Sequence, residues 1–261
     1  AHIAEKDDLH LLDRRGTNFT YLGFNLEDKV TGQEKLRRAI AMAVDRKAII
    51  RYLFSERARL GASILPPEHW AGLEQGNGIG FDPAGARRLL AELGYSTARP
   101  LEITYKTSTD PVRLRIATVI RQQLAEVGID VEIRSYDWGT FFADIKTGNF
   151  QMYSLSWVGV RSPDIFEYVF HSRSVPPVGA NRGRYKSPRA DALIDAAIAT
   201  TDETAMTGLW KELQTQLLED LPYVPLWYEH QVFVSRQGVS AYHLSPDGSY
   251  DGLNAVERVS K

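Results

Sequence analysis

The chain predicts an α/β fold, a mixed sheet flanked by helices with at least some strands parallel. Between residues 101 and 157, strand-like and helix-like segments alternate in β-α-β-α-β order, the order that layers helices on a sheet. Within that stretch Ile129, Val131 and Ile133 alternate with Asp130, Glu132 and Arg134, the two-residue period of a half-buried strand. Upstream, Leu36, Ala39, Ile40, Ala43, Val44, Ile50 and Leu53 recur at three- and four-residue spacing, which is one apolar stripe along a helix.

Taken in order, residues 19–25 read as a short strand leading into a helix over about 32–54. Thr31 and Glu34 form a capping box at its start, and its Arg and Lys residues face water. Gly61, Pro66, Pro67, Gly72, Gly78 and Gly80 mark a looser stretch. Asp82 as N-cap, Pro83 in the first turn and Gly94 as the stop delimit the next helix, with Leu89, Leu90 and Leu93 on its buried face. Residues 101–106 form a strand, and Asp110-Pro111 opens a helix that runs to Val127 and stops at Gly128. After the strand beginning at Ile129, Asp137 caps a helix carrying Phe141, Phe142 and Ile145 and ended by Gly148; residues 150–157 are the next strand. A Pro- and Gly-rich loop over 175–183 precedes two helices, one opened by Ser187-Pro188 and one over about 202–218. Residues 223–234 are a long apolar strand, and the tail from Gly238 is Ser-, Gly- and Asp-rich. That tail reads as a segment that wanders over the surface or needs a further partner surface.

At 261 residues the chain is long enough to bury a sizeable core. Its 43% hydrophobic and 25% charged content is that of a globular protein, and a net charge of −2 supplies no footprint for nucleic acid. No cysteine is present, which removes thiol nucleophiles, disulfides and Cys-based zinc sites. The first residues are polar and lack the apolar core of a secretory leader; either a leader was cleaved or the sequence begins mid-protein.

Enzymatic signatures are weak. No nucleophile elbow, P-loop, zincin motif or dinucleotide fingerprint occurs. The six histidines are scattered without ligand spacing, so no metal, cofactor or catalytic residue is expected. A hydrolase or transferase built on a carboxylate pair stays open as an alternative, because 33 acidic residues always supply candidates; a protein-docking module is the other. The loop from Lys106 to Pro111 is read as simple capping by Asp110. Trp157 ends a strand and offers a flat apolar wall plus one N–H donor, while Gly159 lets a ligand approach the backbone. Asn181, Arg182, Arg184 and Tyr185 lie in a Gly-containing loop, where arginines can grip carboxylate or phosphate. Trp138, Phe141 and Phe142 read mainly as core, as do Trp210, Trp227 and Tyr228.

Five segments together resemble the family 5 solute-binding proteins of ABC importers, the peptide, dipeptide and nickel receptors. They are Tyr21-Leu22-Gly23-Phe24-Asn25, the helix around residues 37–46, Phe81-Asp82-Pro83 through Gly94-Tyr95, Trp157-Val158-Gly159, and Leu221-Pro222-Tyr223-Val224-Pro225-Leu226. The resemblance implies a lobe of the type II periplasmic binding protein kind and a binding protein that performs no bond chemistry. It also implies a small-molecule or peptide ligand, ABC permease subunits as partners, and periplasmic or lipoprotein-anchored residence. Family members are longer, and the matching parts are those of the C-terminal half. The chain is therefore expected to comprise a hinge segment over 1–25, a ligand-binding lobe over 26–235, and a tail over 236–261 returning toward a missing N-terminal lobe.

The resemblance implies a ligand-binding set of Trp157, Gly159, Val160, Arg161, Asp164, Asn181, Arg182 and Tyr185. In peptide receptors of the family, the loop after this Trp carries an acidic residue that pairs with the ligand's α-ammonium group. Counted from Trp157 that position falls on Val160, and Pro163-Asp164 stands in place of the usual Asp-Pro order. Removing one partner of a buried charge pair costs about 2–5 kcal/mol. Either Arg161 presents a cation to an acidic or N-blocked ligand, or Asp164 restores the anchor.

Overall fold

The alternation over residues 101–157 builds one side of a six-stranded sheet, out to its edge. The computed structural model describes residues 8–74, 78–240 and 242–258. The first half contains β1 (Leu9–Phe24), α1 (Glu34–Ala43), α2 (Arg46–Leu53), β2 (Ala58–Leu60), α3 (Pro83–Glu92), β3 (Leu101–Ser108) and α4 (Pro111–Ala125). There follow β4 (Ile129–Tyr136), α5 (Trp138–Thr147), β5 (Met152–Trp157), α6 (Ile165–Phe170), α7 (Pro188–Ala199), α8 (Glu203–Asp220) and β6 (Tyr223–Arg236). A short pair, β7 (Val239–Ser240) and β8 (Glu257–Arg258), lies apart from the main sheet. Strand order is β2-β6-β1-β5-β3-β4, with β3 parallel to both β4 and β5 and the β1, β2 and β6 pairings antiparallel.

Side chains alternate across the sheet and divide the core in two. Leu22, Phe24, Ile103, Val131 and Met152 meet α1, α2, α3 and α4 on one face. Phe19, Tyr21, Tyr153 and Leu155 meet α5, α6, α7 and α8 on the other. The caps at Asp82, Asp110, Asp137 and Ser187 are as the sequence predicts, and Asp202 is a further one: each accepts a backbone N–H from the first turn of the following helix, satisfying donors a helix start leaves open. Trp210, Trp227 and Tyr228 are buried, as expected of core residues.

The predicted helix over 32–54 is two helices. Val44 is extended and Asp45 caps α2 by accepting from Ala48 N–H, so the apolar stripe continues across a break. The Thr31–Glu34 capping box does not form: Thr31 donates its hydroxyl to the Asn25 carbonyl at 2.8 Å, and no side chain caps α1. Nor do all the basic residues of this stretch face water. Arg37 is buried and donates to the carbonyls of Leu221 at 2.8 Å and Gly32 at 2.7 Å; Arg46 is buried and donates to the Pro225 carbonyl at 2.8 Å. Charged donors on carbonyls are strong enough to hold such arginines in the core.

β1 reaches further back than predicted, to Leu9. Phe19, Tyr21, Leu22 and Phe24 are core, whereas Leu9–Arg14 pairs only with Gln231–Arg236 of β6. The sheet thus narrows at one end to a two-stranded ribbon. Between the two parts the register shifts, and Gly16 makes room: a Cβ there would lie 2.1 Å from the Glu229 carbonyl oxygen. The tail does not wander free. Thr17 N–H donates to the Pro246 carbonyl at 2.9 Å and Arg14 to the Leu244 carbonyl at 2.8 Å. Residues 1–7, which belong to the expected hinge segment, lie outside the described residues.

Candidate ligand-binding wall

The parallel strands β3, β4 and β5 end at Ser108, Tyr136 and Trp157 on one rim of the sheet. Carboxyl ends of parallel strands are where open α/β sheets present ligands. Asp110 and Asp137 sit at this rim, but each is consumed by its own helix, accepting backbone N–H groups of α4 and α5. The loop from Lys106 to Pro111 is therefore a cap, as the sequence reading has it.

Past Trp157 the chain turns on Gly159, whose φ of +69° falls in the left-handed region, one that side chains with a Cβ rarely adopt. A Cβ at Gly159 would meet nothing within 4 Å. Val158, Gly159 and Arg161 are exposed and Trp157 is half-buried, so the turn lines the surface rather than plugging the core. Val160 borders a neighbouring groove with Arg14, Arg15, Glu68 and His69.

Trp157 offers its ring but not its N–H. The indole nitrogen is out of solvent and has no acceptor among the described residues, which corrects the expected donor. The ring belongs to a stack that runs across the rim. The Arg182 guanidinium carbon lies 4.8 Å from the Trp157 ring centroid and 5.2 Å from that of Phe142. Phe142 in turn stacks on Trp138 at 5.5 Å with planes 10° apart, and Arg113 lies 5.7 Å from the Trp138 ring. Cations over ring faces at these distances are attracted by the ring quadrupole. Trp138 is 52% exposed and Phe142 half-buried, whereas Phe141 is wholly buried. Of the three aromatics read as core, only Phe141 is.

Behind Arg182 stand Tyr21, Tyr153 and Tyr223, with Tyr21 and Tyr223 rings 3.8 Å apart. Burial pushes the phenols of Tyr153 and Tyr223 well above the ordinary range, so they stay neutral and give the guanidinium no counter-charge. Among the described residues its one side-chain hydrogen bond goes to the Tyr21 hydroxyl at 3.4 Å.

The other expected site residues divide. Asn181 is buried and fully engaged: its amide donates to the carbonyls of His171 at 3.1 Å and Tyr185 at 2.7 Å, and its oxygen accepts from Tyr185 N–H at 2.9 Å. Tyr185 is buried too, its hydroxyl donated to Asp220 and its ring edge-on to Phe170. Neither is brought to the wall. Arg161 reaches the tail, donating from Nε to Asp247 Oδ2 at 2.7 Å. Arg161 thus already has a carboxylate partner within the chain, while its side chain stays largely exposed. Hydrogen bonds from Ser245 and the Ser249 N–H, with Arg161 adding to them, hold the Asp247 carboxyl down at about 2. Asp164 is exposed at the start of α6 and accepts from the Ser162 hydroxyl at 2.9 Å.

The family described as bacterial extracellular solute-binding proteins, family 5, middle, matches residues 1–175. Di/tripeptide-binding protein 2 of Pseudomonas aeruginosa is 28% identical over 256 residues, covering 96% of this chain and 48% of that protein. The dipeptide-binding protein of Escherichia coli K12 is 26% identical over 258 residues, with coverages of 96% and 48%. The crystal structure of a dipeptide binding protein from Pseudoalteromonas sp. SM9913 in complex with Met-Leu superposes with a TM-score of 0.85 at 26% identity, covering 98% of this chain and 51% of that one. The chain thus spans about half the length of the relatives it matches, and the fold is that of a lobe of a periplasmic binding protein.

Proposed function

The chain belongs to the bacterial extracellular solute-binding proteins of family 5, and from that premise we propose that it is the C-terminal lobe of the substrate-binding component of an ABC importer. In this reading residues 26–235 form one wall of a cleft that captures peptides or related small solutes. A second lobe closes over the ligand by hinge motion, water is expelled, and the loaded protein delivers its cargo to a membrane permease. Binding and release suffice; no bond is made or broken. Residence is periplasmic or anchored at the outer face by lipid. Among the described residues no helix is long and apolar enough to cross a membrane.

The observation that carries the reading is the stack of exposed Trp138 with half-buried Phe142, Arg182 and Trp157 at the carboxyl ends of the parallel strands. Such a flat apolar wall with few polar groups suits one half of a ligand cleft. The ribbon formed by Leu9–Arg14 and Gln231–Arg236 leaves the sheet at this same rim, because Phe19 pairs with both Trp157 and Tyr228. It supports the assignment of the flanking segments 1–25 and 236–261 to the connection with a second lobe, although residues 19–24 themselves are core strand.

Calorimetry tests the proposal. The two-lobed protein is expected to bind a dipeptide such as Met-Leu, or a blocked derivative of it, whereas residues 1–261 alone bind far more weakly because half the cleft contacts are lacking. A dissociation constant below about 1 μM for residues 1–261 alone, equivalent to about −8 kcal/mol, would overturn the half-cleft mechanism. Failure of the two-lobed protein to bind any peptide or peptide-like solute would overturn the assignment itself.

A further inference from the structure

We infer that Arg182 is the ligand anchor of this wall and that it selects solutes bearing a carboxylate, with no requirement for a free amino group. The inference rests on the proposed binding role and names the chemistry that the role recognises.

Most arginines of this molecule that leave solvent or meet a neighbour have their donors engaged. Arg37 and Arg46 are buried on backbone carbonyls. Arg59 is clamped by both oxygens of Glu68, and Arg184 donates to the carbonyls of Arg182 and Lys146. Arg161 has Asp247. Arg182 differs from all of these, since among the described residues no ion pair involves it and its single side-chain hydrogen bond is a long one to a neutral phenol. Three carboxylates on neighbouring elements are engaged elsewhere: Asp144 takes Lys106 and Asn149, Asp220 takes Tyr185 and Gln216, and Glu27 takes Lys186.

A guanidinium is a planar fork of five N–H donors with no acceptor. Trp157 and Phe142 hold this one by ring contact, which orients the plane without using the donors. A planar carboxylate is the partner that such a fork fits with two parallel hydrogen bonds. The body of the solute then lies along Phe142 and the exposed Trp138. A ligand ammonium would find the opposite of what it needs at this end of the wall, because Arg113 supplies a second cation over Trp138.

Three probes separate the possibilities: Met-Leu, N-acetyl-Met-Leu, which keeps only the carboxylate, and Met-Leu amide, which keeps only the amine. Titrations of residues 1–261 at millimolar concentration are followed by NMR through the Arg182 Nε–H and Trp138 indole signals. Met-Leu and N-acetyl-Met-Leu are expected to shift both signals with similar affinity, and Met-Leu amide to bind about tenfold more weakly or worse, the loss expected for a charge-assisted pair. Arg182→Gln is expected to erase the preference. Arg182→Lys, which keeps the charge while losing the fork, retains a reduced preference, and thermal unfolding of both variants shows whether the fold persists. If Met-Leu amide moves the Trp138 signal as strongly as N-acetyl-Met-Leu, the inference fails while the peptide-binding role stands. If no probe moves either signal, the inference and the role of this wall fall together.

Discussion

Asn181 illustrates a residue that sequence reasoning places at a ligand and the structure places in the framework. Its substitution by Ala removes three hydrogen bonds, two donated to the carbonyls of His171 and Tyr185 and one accepted from Tyr185 N–H. The side chain is 2% exposed, so water replaces those partners poorly. Each net hydrogen bond is worth about 1 kcal/mol, and a buried backbone group left without a partner costs about 1–3 kcal/mol. Partial relaxation of the loop lowers the sum, and about 3–4 kcal/mol is the expected loss. For a chain of this size that corresponds to roughly 6–16 °C in Tm.

Urea unfolding followed by tryptophan fluorescence measures the loss, and calorimetry on the two-lobed protein measures affinity well below the lowered Tm. The expected outcome is a large drop in stability with affinity changed by less than about threefold, which is under 0.7 kcal/mol. A variant within about 1 kcal/mol of the parent in stability but tenfold weaker in binding would refute the reasoning. It would mean that the loop rearranges to turn Asn181 outward.

Two further outcomes follow from ion pairs. Lys106 is almost fully buried and donates to Asp144 Oδ2 at 2.7 Å, a bond that lowers the Asp144 pKa more than burial raises it. Asp144→Ala strands the ammonium and is expected to cost about 2–4 kcal/mol, since the carboxylate side is partly solvated, whereas Lys106→Met with Asp144→Leu recovers at least half of that in chemical unfolding; equal losses in both variants would contradict it. Asp247, held at about 2, fastens the tail to the Trp157 turn. A carboxyl lowered in the folded state stabilises above its unfolded pKa of about 4 and loses that contribution as pH falls toward 2. The Ser249 amide proton, which donates to Asp247 Oδ1 at 3.0 Å, is expected to titrate by NMR with a midpoint near 2, and a midpoint near 4 would show the hydrogen bonds from Ser245 and Ser249 to be absent.

What the sequence made legible was what short-range chemistry decides. Asp82, Asp110, Asp137, Ser187 and Asp202 cap helices that begin at the next residue, and the determinant of each lies within three residues. The break at Val44–Asp45 had such a signal too, an Asp three residues before Ala48, but the apolar stripe ran straight through it. Arg37 and Arg46 were illegible because their carbonyl partners stand 184 and 179 positions away in the chain. The first half of β1 was hidden for a related reason. It is a ribbon paired only to β6, with polar residues on it that no local pattern marks as strand.

The candidate site divides along the same line. The turn after Trp157 could be read, because a left-handed glycine after an aromatic strand end is local. The role of Arg161 could not, since Asp247 lies 86 residues on. Around α5 the sequence leaves two arrangements open. Phe141–Ile145 and Trp138–Phe142 are both four-residue pairs, set about 100° apart on the helix, and a half-buried helix covers only one such stripe fully. The sequence holds both pairs without saying which is inside; α5 turns Phe141 and Ile145 to the core and leaves the other pair at the rim. Arg182 follows the same logic one residue from Asn181: the loop spends one side chain inward on its own backbone and sets the next against Trp157 and Phe142. A net charge of −2 therefore says little about what this surface attracts. The field at the rim is set by which arginines the fold leaves without a partner, and that is a property of long-range pairing rather than of composition.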